Sequence, residues 1–221
     1  MNIGEEMKKK MLKKKEINIV LDLLLELYPY AEAELDHTNP FELLIATILS
    51  AQCTDIRVNK VTKVLFDKVK TPKEFLSLSI TELGEIIHSC GFYNTKSKNI
   101  LATCLILEEK FNGEVPDNLE DLMSLPGVGR KTANVVVSNA FGVPAIAVDT
   151  HVFRVSNRIG LANSNNVEDT EIDLMKNINK ELWTKAHHML IFHGRRVCKA
   201  RNPMCEICPI SPYCYYFNER G

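Results

Sequence analysis

The chain has 221 residues, 45% of them apolar and 25% charged, a balance that allows a proper buried core. No run approaches the ~18 uninterrupted apolar residues of a spanning helix, so the sequence points away from a membrane protein. The formal net charge of −1 excludes bulk attraction to nucleic acid, and any such binding must rest on a local cationic face.

The first sixteen residues mix six lysines with three glutamates and lead into no apolar stretch of signal-peptide length. They read as the solvated, frayed start of a first helix. Ile17 to Leu27 then sets Ile17, Val20, Leu21, Leu24, Leu25 and Leu27 on a broad apolar face. Helix-start signals recur: Asn39-Pro40-Phe41-Glu42 offers a cap, a first-turn proline and a returning glutamate, Thr71-Pro72 repeats the cap, and Ser79 with Glu82 forms a capping-box pattern. Lys96 to Phe111 has helical spacing through Ile100, Leu101, Cys104, Leu105 and Leu107. Val143 to Val148 reads either as a strand or as a buried connector, while Val167 to Ile178 and Leu182 to Phe192 are helical. Trp183 reads as core, and His151, His187, His188 and His193 as packed residues without chemistry. The expected fold class is all-α, with many helices of roughly ten to fifteen residues joined by short turns.

Between helical segments at Leu119 to Ser124 and Thr132 to Phe141 lies Leu125-Pro126-Gly127-Val128-Gly129-Arg130-Lys131-Thr132-Ala133. Two glycines spaced by one apolar residue permit a tight turn that brings backbone N–H groups to a surface. Those groups open a helix whose positive end favours an anion, an arrangement suited to gripping a DNA phosphate without reading sequence. With its Leu-Pro and Lys-Thr-Ala-Asn flanks the segment is a helix-hairpin-helix motif. Lys131 is then either a phosphate contact or an amine nucleophile. The second role requires loss of a proton normally held to pKa ~10.4, which Arg130 and the helix end favour. Asp149, after an apolar connector, is either the N-cap of the next helix or an acid that faces Lys131 across a cleft and stabilises cationic sugar character.

Cys53, Cys90 and Cys104 lie among apolar neighbours and read as small core residues. Cys198, Cys205, Cys208 and Cys214 crowd together in a pattern C-x6-C-x2-C-x5-C, which suits a metal rather than disulfides. Four thiolates fit zinc or a [4Fe–4S] cluster, and the single tight C-x2-C pair leans toward iron–sulfur. Between Thr184 and Met204 no acidic residue occurs, whereas Lys185, Arg195, Arg196, Lys199 and Arg201 all do, giving a candidate cationic face.

From about residue 17 onward, the chain resembles the endonuclease III family of DNA glycosylases and abasic-site lyases. The matching segments include Pro40 to Ala46, Ser50-Ala51-Gln52, Val58-Asn59-Lys60, Tyr93-Asn94, Asn112 to Pro116, Leu125 to Val136, Ile146 to Arg154, His193-Gly194-Arg195 and the cysteine loop. The resemblance implies two helical domains, one of six helices near 33–143 and one joining 1–32 to 144–221, with DNA across the groove between them. It implies Lys131 as catalytic lysine, Asp149 as catalytic aspartate and Cys198, Cys205, Cys208 and Cys214 as ligands of a [4Fe–4S] cluster. Gln52 matches a residue that fills the space left by an extruded nucleotide. Phe92 falls where relatives often carry a leucine wedge. From sequence alone these two would be a helix-end polar residue and a core aromatic. DNA contacts are expected from Gln52, Phe92, Leu125, Gly127, Val128, Gly129, Arg130, Thr132, Lys199 and Arg201.

The implied reaction is removal of oxidised or ring-saturated pyrimidines from double-stranded DNA by a monomer, with strand nicking. A cytoplasmic, nucleoid-associated location is expected. Lys131 weighs against a related enzyme that removes mismatched adenine without cutting, which ordinarily lacks that lysine. A zinc-bearing DNA-binding module without catalysis and an electron carrier are the rivals from other classes.

Overall fold

Most of the helices begin on a side chain that the sequence marks as a cap. The computed structural model describes residues 11–219, and no strand forms among them. In chain order the helices are α1 (Lys14–Leu27), α2 (Pro40–Ser50), α3 (Asp55–Lys68), α4 (Pro72–Phe75), α5 (Ile80–Ile87), α6 (Tyr93–Phe111), α7 (Leu119–Ser124), α8 (Arg130–Ala140), α9 (Thr150–Ile159), α10 (Val167–Asn177), α11 (Trp183–Arg196) and α12 (Tyr215–Asn218). The lysine-rich start expected over residues 1–10 lies outside the described residues. Asn39 accepts the Glu42 N–H at 2.9 Å and the Glu42 carboxylate accepts the Thr38 N–H at 2.6 Å. Thr71 with Glu74 and Ser79 with Glu82 close capping boxes on α4 and α5. The Ser79 hydrogen bonds hold the Glu82 carboxyl below its ordinary pKa.

The chain divides into two compact units, one formed by Ala33–Ala145 and the other by the remaining residues before and after it. In the first, α2 is buried continuously from Phe41 to Leu49, Glu42 and Thr47 being its polar members, and packs with α3, α6 and α8. Leu43, Leu44, Val58, Leu65, Ile100, Leu107 and Val136 complete this core, with Phe41 edge-on to Phe75 at 5.2 Å. Cys90 and Cys104 are buried in it, and Cys53 packs at its edge.

The second unit buries Ile17, Val20, Leu21 and Leu24 of α1 with Val152, Val155, Leu174, Met189 and Leu190. Trp183 packs against this core and its indole N–H donates to the Ile178 carbonyl at 3.0 Å. Leu25, Leu27 and Leu105, expected on apolar faces, are exposed. A helix buries only the stripe that meets its neighbours, and these three lie outside it.

Val143 to Val148 forms no strand. Ala145 belongs to the first core and Ile146 and Val148 to the second, so the segment is a connector buried from Ala145 to Val148, while Val143 is exposed. A strand needs a neighbour to satisfy its N–H and C=O groups, and none exists among the described residues. Among the described residues no helix is long and apolar enough to cross a membrane.

Candidate functional site

The glycine turn is anchored by its apolar members. Leu125 and Val128 are 2% and 6% exposed, and their N–H groups donate to the Leu122 and Leu125 carbonyls, both at 3.1 Å. Their side chains fill the core and their N–H donors are used inside the turn, so neither side chain is presented outward. Gly127 has φ +79°, and a Cβ there would lie 2.9 Å from Asn99 Nδ2, so conformation and space both demand glycine. From α6, the Thr103 hydroxyl donates to the Pro126 carbonyl at 3.0 Å and holds the turn in place.

What the turn presents outward is Gly127, Gly129, Arg130 and Lys131, all exposed, with Thr132 half-buried. Helix α8 starts on Gly129, which has no side chain to cap it, and carries no acidic residue in its first turn. By contrast α2, α3, α4, α5, α7 and α10 each have a side-chain cap and an acid there. Placing Arg130 and Lys131 at the positive end of a helix is unfavourable for the isolated helix. An anion on those exposed N–H groups offsets both charges.

Gln52 and Phe92 share an uncommon backbone. Both are left-handed, with φ 55° and φ 48°, a conformation that costs a residue with a Cβ about 1–2 kcal/mol. Both are exposed, Phe92 to 66%, so the core-aromatic expectation for Phe92 is overturned. The surrounding unit holds an aromatic ring out of the core on strained backbone, where such strain commonly serves function.

In the other unit, Asp149 caps α9: its Oδ1 accepts the N–H groups of His151 and Val152, both at 2.8 Å. The side chain is half-buried. Burial lowers the pKa of the neighbouring His151, while Asp149 opposes that shift.

Cys198, Cys205, Cys208 and Cys214 line one pocket, with Val197, Met204 and Tyr216 among its apolar walls. All four are free thiols, and burial pushes Cys214 up to about 11 and raises Cys208. Metal binding reverses such shifts, because thiolates are the ligands. Among the described residues no three His, Cys, Asp or Glu groups converge to hold a single metal ion. One zinc ion draws four sulfurs to ~2.3 Å from a common point, whereas an iron–sulfur cluster spreads its cysteines over separate irons. Four thiols lining one apolar pocket are a donor set that fits a [4Fe–4S] cluster.

Two residues without any local sequence signal fasten this loop. Arg154 donates to the Cys198 carbonyl from Nε at 3.2 Å and to the Gly194 carbonyl from Nη2 at 3.0 Å. Arg158 donates to the carbonyls of Lys199 and Ala200 and approaches Cys198 Sγ at 3.6 Å. Their i, i+4 spacing on α9 is visible in the sequence, but nothing there names a partner some forty positions away. Lys199 and Arg201 project from the fastened loop and are exposed, as is Arg195. The expected cationic face is narrower than the sequence implies. Lys185 instead binds the Pro29 and Ala31 carbonyls at 2.6 and 3.1 Å, whereas Arg196 stacks on Phe192 at 4.4 Å and stays exposed.

Comparison with known proteins accounts for both features. Residues 45–180 match the model of the HhH-GPD superfamily base excision DNA repair protein, and residues 198–214 match the iron–sulfur binding domain of endonuclease III. The chain is 52% identical to endonuclease III of Bacillus subtilis (strain 168) over 205 residues, which cover 92% of this chain and 94% of that one. It is also similar to two solved structures, a non-covalent endonuclease III–DNA complex and a trapped endonuclease III–DNA covalent intermediate. Each is 53% identical with a TM-score of 0.91, over 95% of this chain and 99% of the other. The matched C-terminal segment gives the chain a [4Fe–4S] cofactor. With the hairpin inside one matched region and the cysteine loop filling the other, the chain belongs to the endonuclease III family of base-excision DNA glycosylases and abasic-site lyases.

Proposed function

We propose that this glycosylase and abasic-site lyase works through Lys131 as a covalent nucleophile on damaged duplex DNA. The observation that carries the assignment is the first turn of α8, which exposes Lys131 beside Arg130 on a helix end without a side-chain cap or an acid. A phosphate on the Gly127–Arg130 backbone brings the DNA strand alongside the lysine amine.

A glycosidic bond inside a duplex is inaccessible, so the nucleotide must leave the stack. Phe92 supplies an apolar wedge to the stack and Gln52 fills the vacated space. The unprotonated Lys131 Nζ attacks C1′, the C1′–N bond breaks, and its electron pair leaves with the base, which takes a proton. Opening of the sugar ring converts the C1′–Nζ bond to an imine. Loss of a C2′ proton then expels the 3′ phosphate by β-elimination. The Asp149 carboxylate is given the part of stabilising cationic sugar character. Oxidised or ring-saturated pyrimidines are the substrates we infer. Their disturbed stacking lowers the cost of extrusion. The enzyme acts as a monomer on double-stranded DNA.

Cys198, Cys205, Cys208 and Cys214 would hold the [4Fe–4S] cluster. Bound there, it would supply metal–sulfur bonds that tie the loop together. Lys199 and Arg201 on that loop then meet phosphates, Arg154 and Arg158 fixing its backbone.

Borohydride added during turnover tests the nucleophile. It should reduce the imine and leave wild-type protein covalently attached to DNA on a denaturing gel, with no adduct for Lys131→Ala. An adduct that persists in Lys131→Ala removes the assignment.

A further inference from the structure

The reaction makes no direct use of Lys96, yet this lysine is only 5% exposed. It lies in the first turn of α6, in phase with the buried Ile100, Cys104 and Leu107. An ammonium group has three N–H donors, and here each has an acceptor: the carbonyls of Leu49 at 2.8 Å, Ala51 at 2.8 Å and Cys90 at 2.9 Å. Burial lowers the pKa of Lys96, while Cys90 and Cys53 oppose that shift. Leu49 and Ala51 lie at the C-terminal end of α2, where the helix carries partial negative charge.

These three carbonyls are not scattered. Ala51 C=O belongs to the peptide bond that enters Gln52, and Cys90 C=O belongs to the one that enters Gly91, directly before Phe92. Gln52, Gly91 and Phe92 all have positive φ, at 55°, 70° and 48°. Lys96 also donates its own N–H to the Phe92 carbonyl at 3.0 Å. One side chain therefore ties together the two turns that present Gln52 and Phe92, and holds the peptide planes that enter Gln52 and Gly91.

We propose that Lys96 is a positioning residue for nucleotide extrusion, clamping the Gln52 and Phe92 turns to one another. The proposal rests on the wedge and gap-filling roles given above to those two side chains. A lysine serves where an apolar residue would not, since it satisfies three carbonyls at once. Its neighbour Lys98, out of phase with the buried stripe and exposed, has no such part.

The test uses the cluster-loaded enzyme under single-turnover conditions on two duplexes, one with a ring-saturated pyrimidine and one with a preformed abasic site. Lys96→Met keeps the apolar stem and removes all three donors. It should slow base removal tenfold or more, and slow abasic-site cleavage several-fold less, because that duplex has no base to unstack. The slowing should also be non-additive, Lys96→Met/Phe92→Ala being no slower than Phe92→Ala alone. Equal losses on both duplexes, or rates that multiply in the double variant, would overturn the positioning role. If Phe92→Ala and Gln52→Ala each remove bases at the wild-type rate, it is the wedge reading that fails instead. Should Lys96→Met not fold by circular dichroism, Lys96→Gln, which retains two N–H donors, carries the same comparison. Failure of both to fold would assign Lys96 to stability alone and end the proposal.

Discussion

Arg158, in the last turn of α9, donates from Nη1 to the carbonyl of Lys199 at 2.7 Å, across 41 positions of sequence. The same guanidinium lies 4.4 Å from the centre of the Tyr216 ring, so it is braced on one side while it holds the cysteine loop on the other. Replacing it should loosen the metal centre while all four cysteines are kept. Arg158→Met is expected to retain iron on purification and to lose it faster to a chelator, by about tenfold, the range found for outer-shell partners of metal ligands. Decay of the visible absorbance measures this. An unchanged rate would mean that the cysteines hold the loop unaided.

Lys199 and Arg201 are exposed on that loop and are expected to act on phosphates alone. Lys199→Ala and Arg201→Ala should each weaken binding equally on damaged and undamaged duplexes. Each should also reduce the slope of log affinity against log salt by roughly 0.9. A fluorescence titration at several salt concentrations gives both numbers, and a slope identical to wild type would exclude the contact. Removing the cluster with a chelator should reduce the slope by the sum of the two, because the loop that carries both cations loses its cross-links.

Asp149 caps α9 and is also assigned the acid's part in the reaction, and two substitutions separate these roles. Asparagine is as good a cap as aspartate, so Asp149→Asn should keep its stability while single-turnover base removal falls by two orders of magnitude or more. Asp149→Ala should lose the activity and also about 1 kcal/mol of stability, read from urea unfolding. Near-normal turnover in Asp149→Asn would leave the residue as a cap only.

The two hairpin glycines should respond differently to alanine. At Gly127 the positive φ and Asn99 both resist a Cβ, so Gly127→Ala should lose about 1–3 kcal/mol of stability. Asn99→Ala in the same chain should relieve the contacts with Nδ2 and Cγ, but neither that with Cβ at 3.1 Å nor the dihedral part. Gly129 has φ −87° and nothing within 4 Å of a built Cβ, so Gly129→Ala should fold normally. If backbone at Gly129 approaches a phosphate, that variant should bind DNA more weakly by tenfold or so. Unweakened binding would exclude the close approach.

His188 gives the protein an acid-sensitive core. Burial, with a contribution from Lys185, lowers it to about 4. In the unfolded chain a histidine takes its proton near ~6.5. Above that value neither state is protonated and stability is full. As pH falls from 6.5 toward 4 only the unfolded state binds the proton, so stability declines by up to about 1.4 kcal/mol per pH unit. Urea unfolding at pH 7 and 5.5 should show this decline in wild type and a smaller one in His188→Leu. Equal declines would mean that His188 takes no part.

The sequence by itself determined the helical class, the hairpin and the cysteine ring. Each is local: caps read within four positions, the Gly127-Val128-Gly129 turn requires residues that no other spacing supplies, and four thiols within seventeen positions can meet without help from the fold. Tertiary structure decided what periodicity cannot carry. The apolar run at Val143 to Val148 became a connector because no strand was there to pair with it. Phe92 left the core because its left-handed backbone turns it outward, and Leu125 and Val128 went inward to support the turn that the glycines expose. Lys185 was withdrawn from the cationic face by two carbonyls more than 150 positions away. Lys96 and Arg158 show the limit most plainly, since a long cation is written identically whether it ends in solvent or on buried main-chain oxygens. Only packing sets which, because the acceptors belong to segments brought together by the collapse of the core.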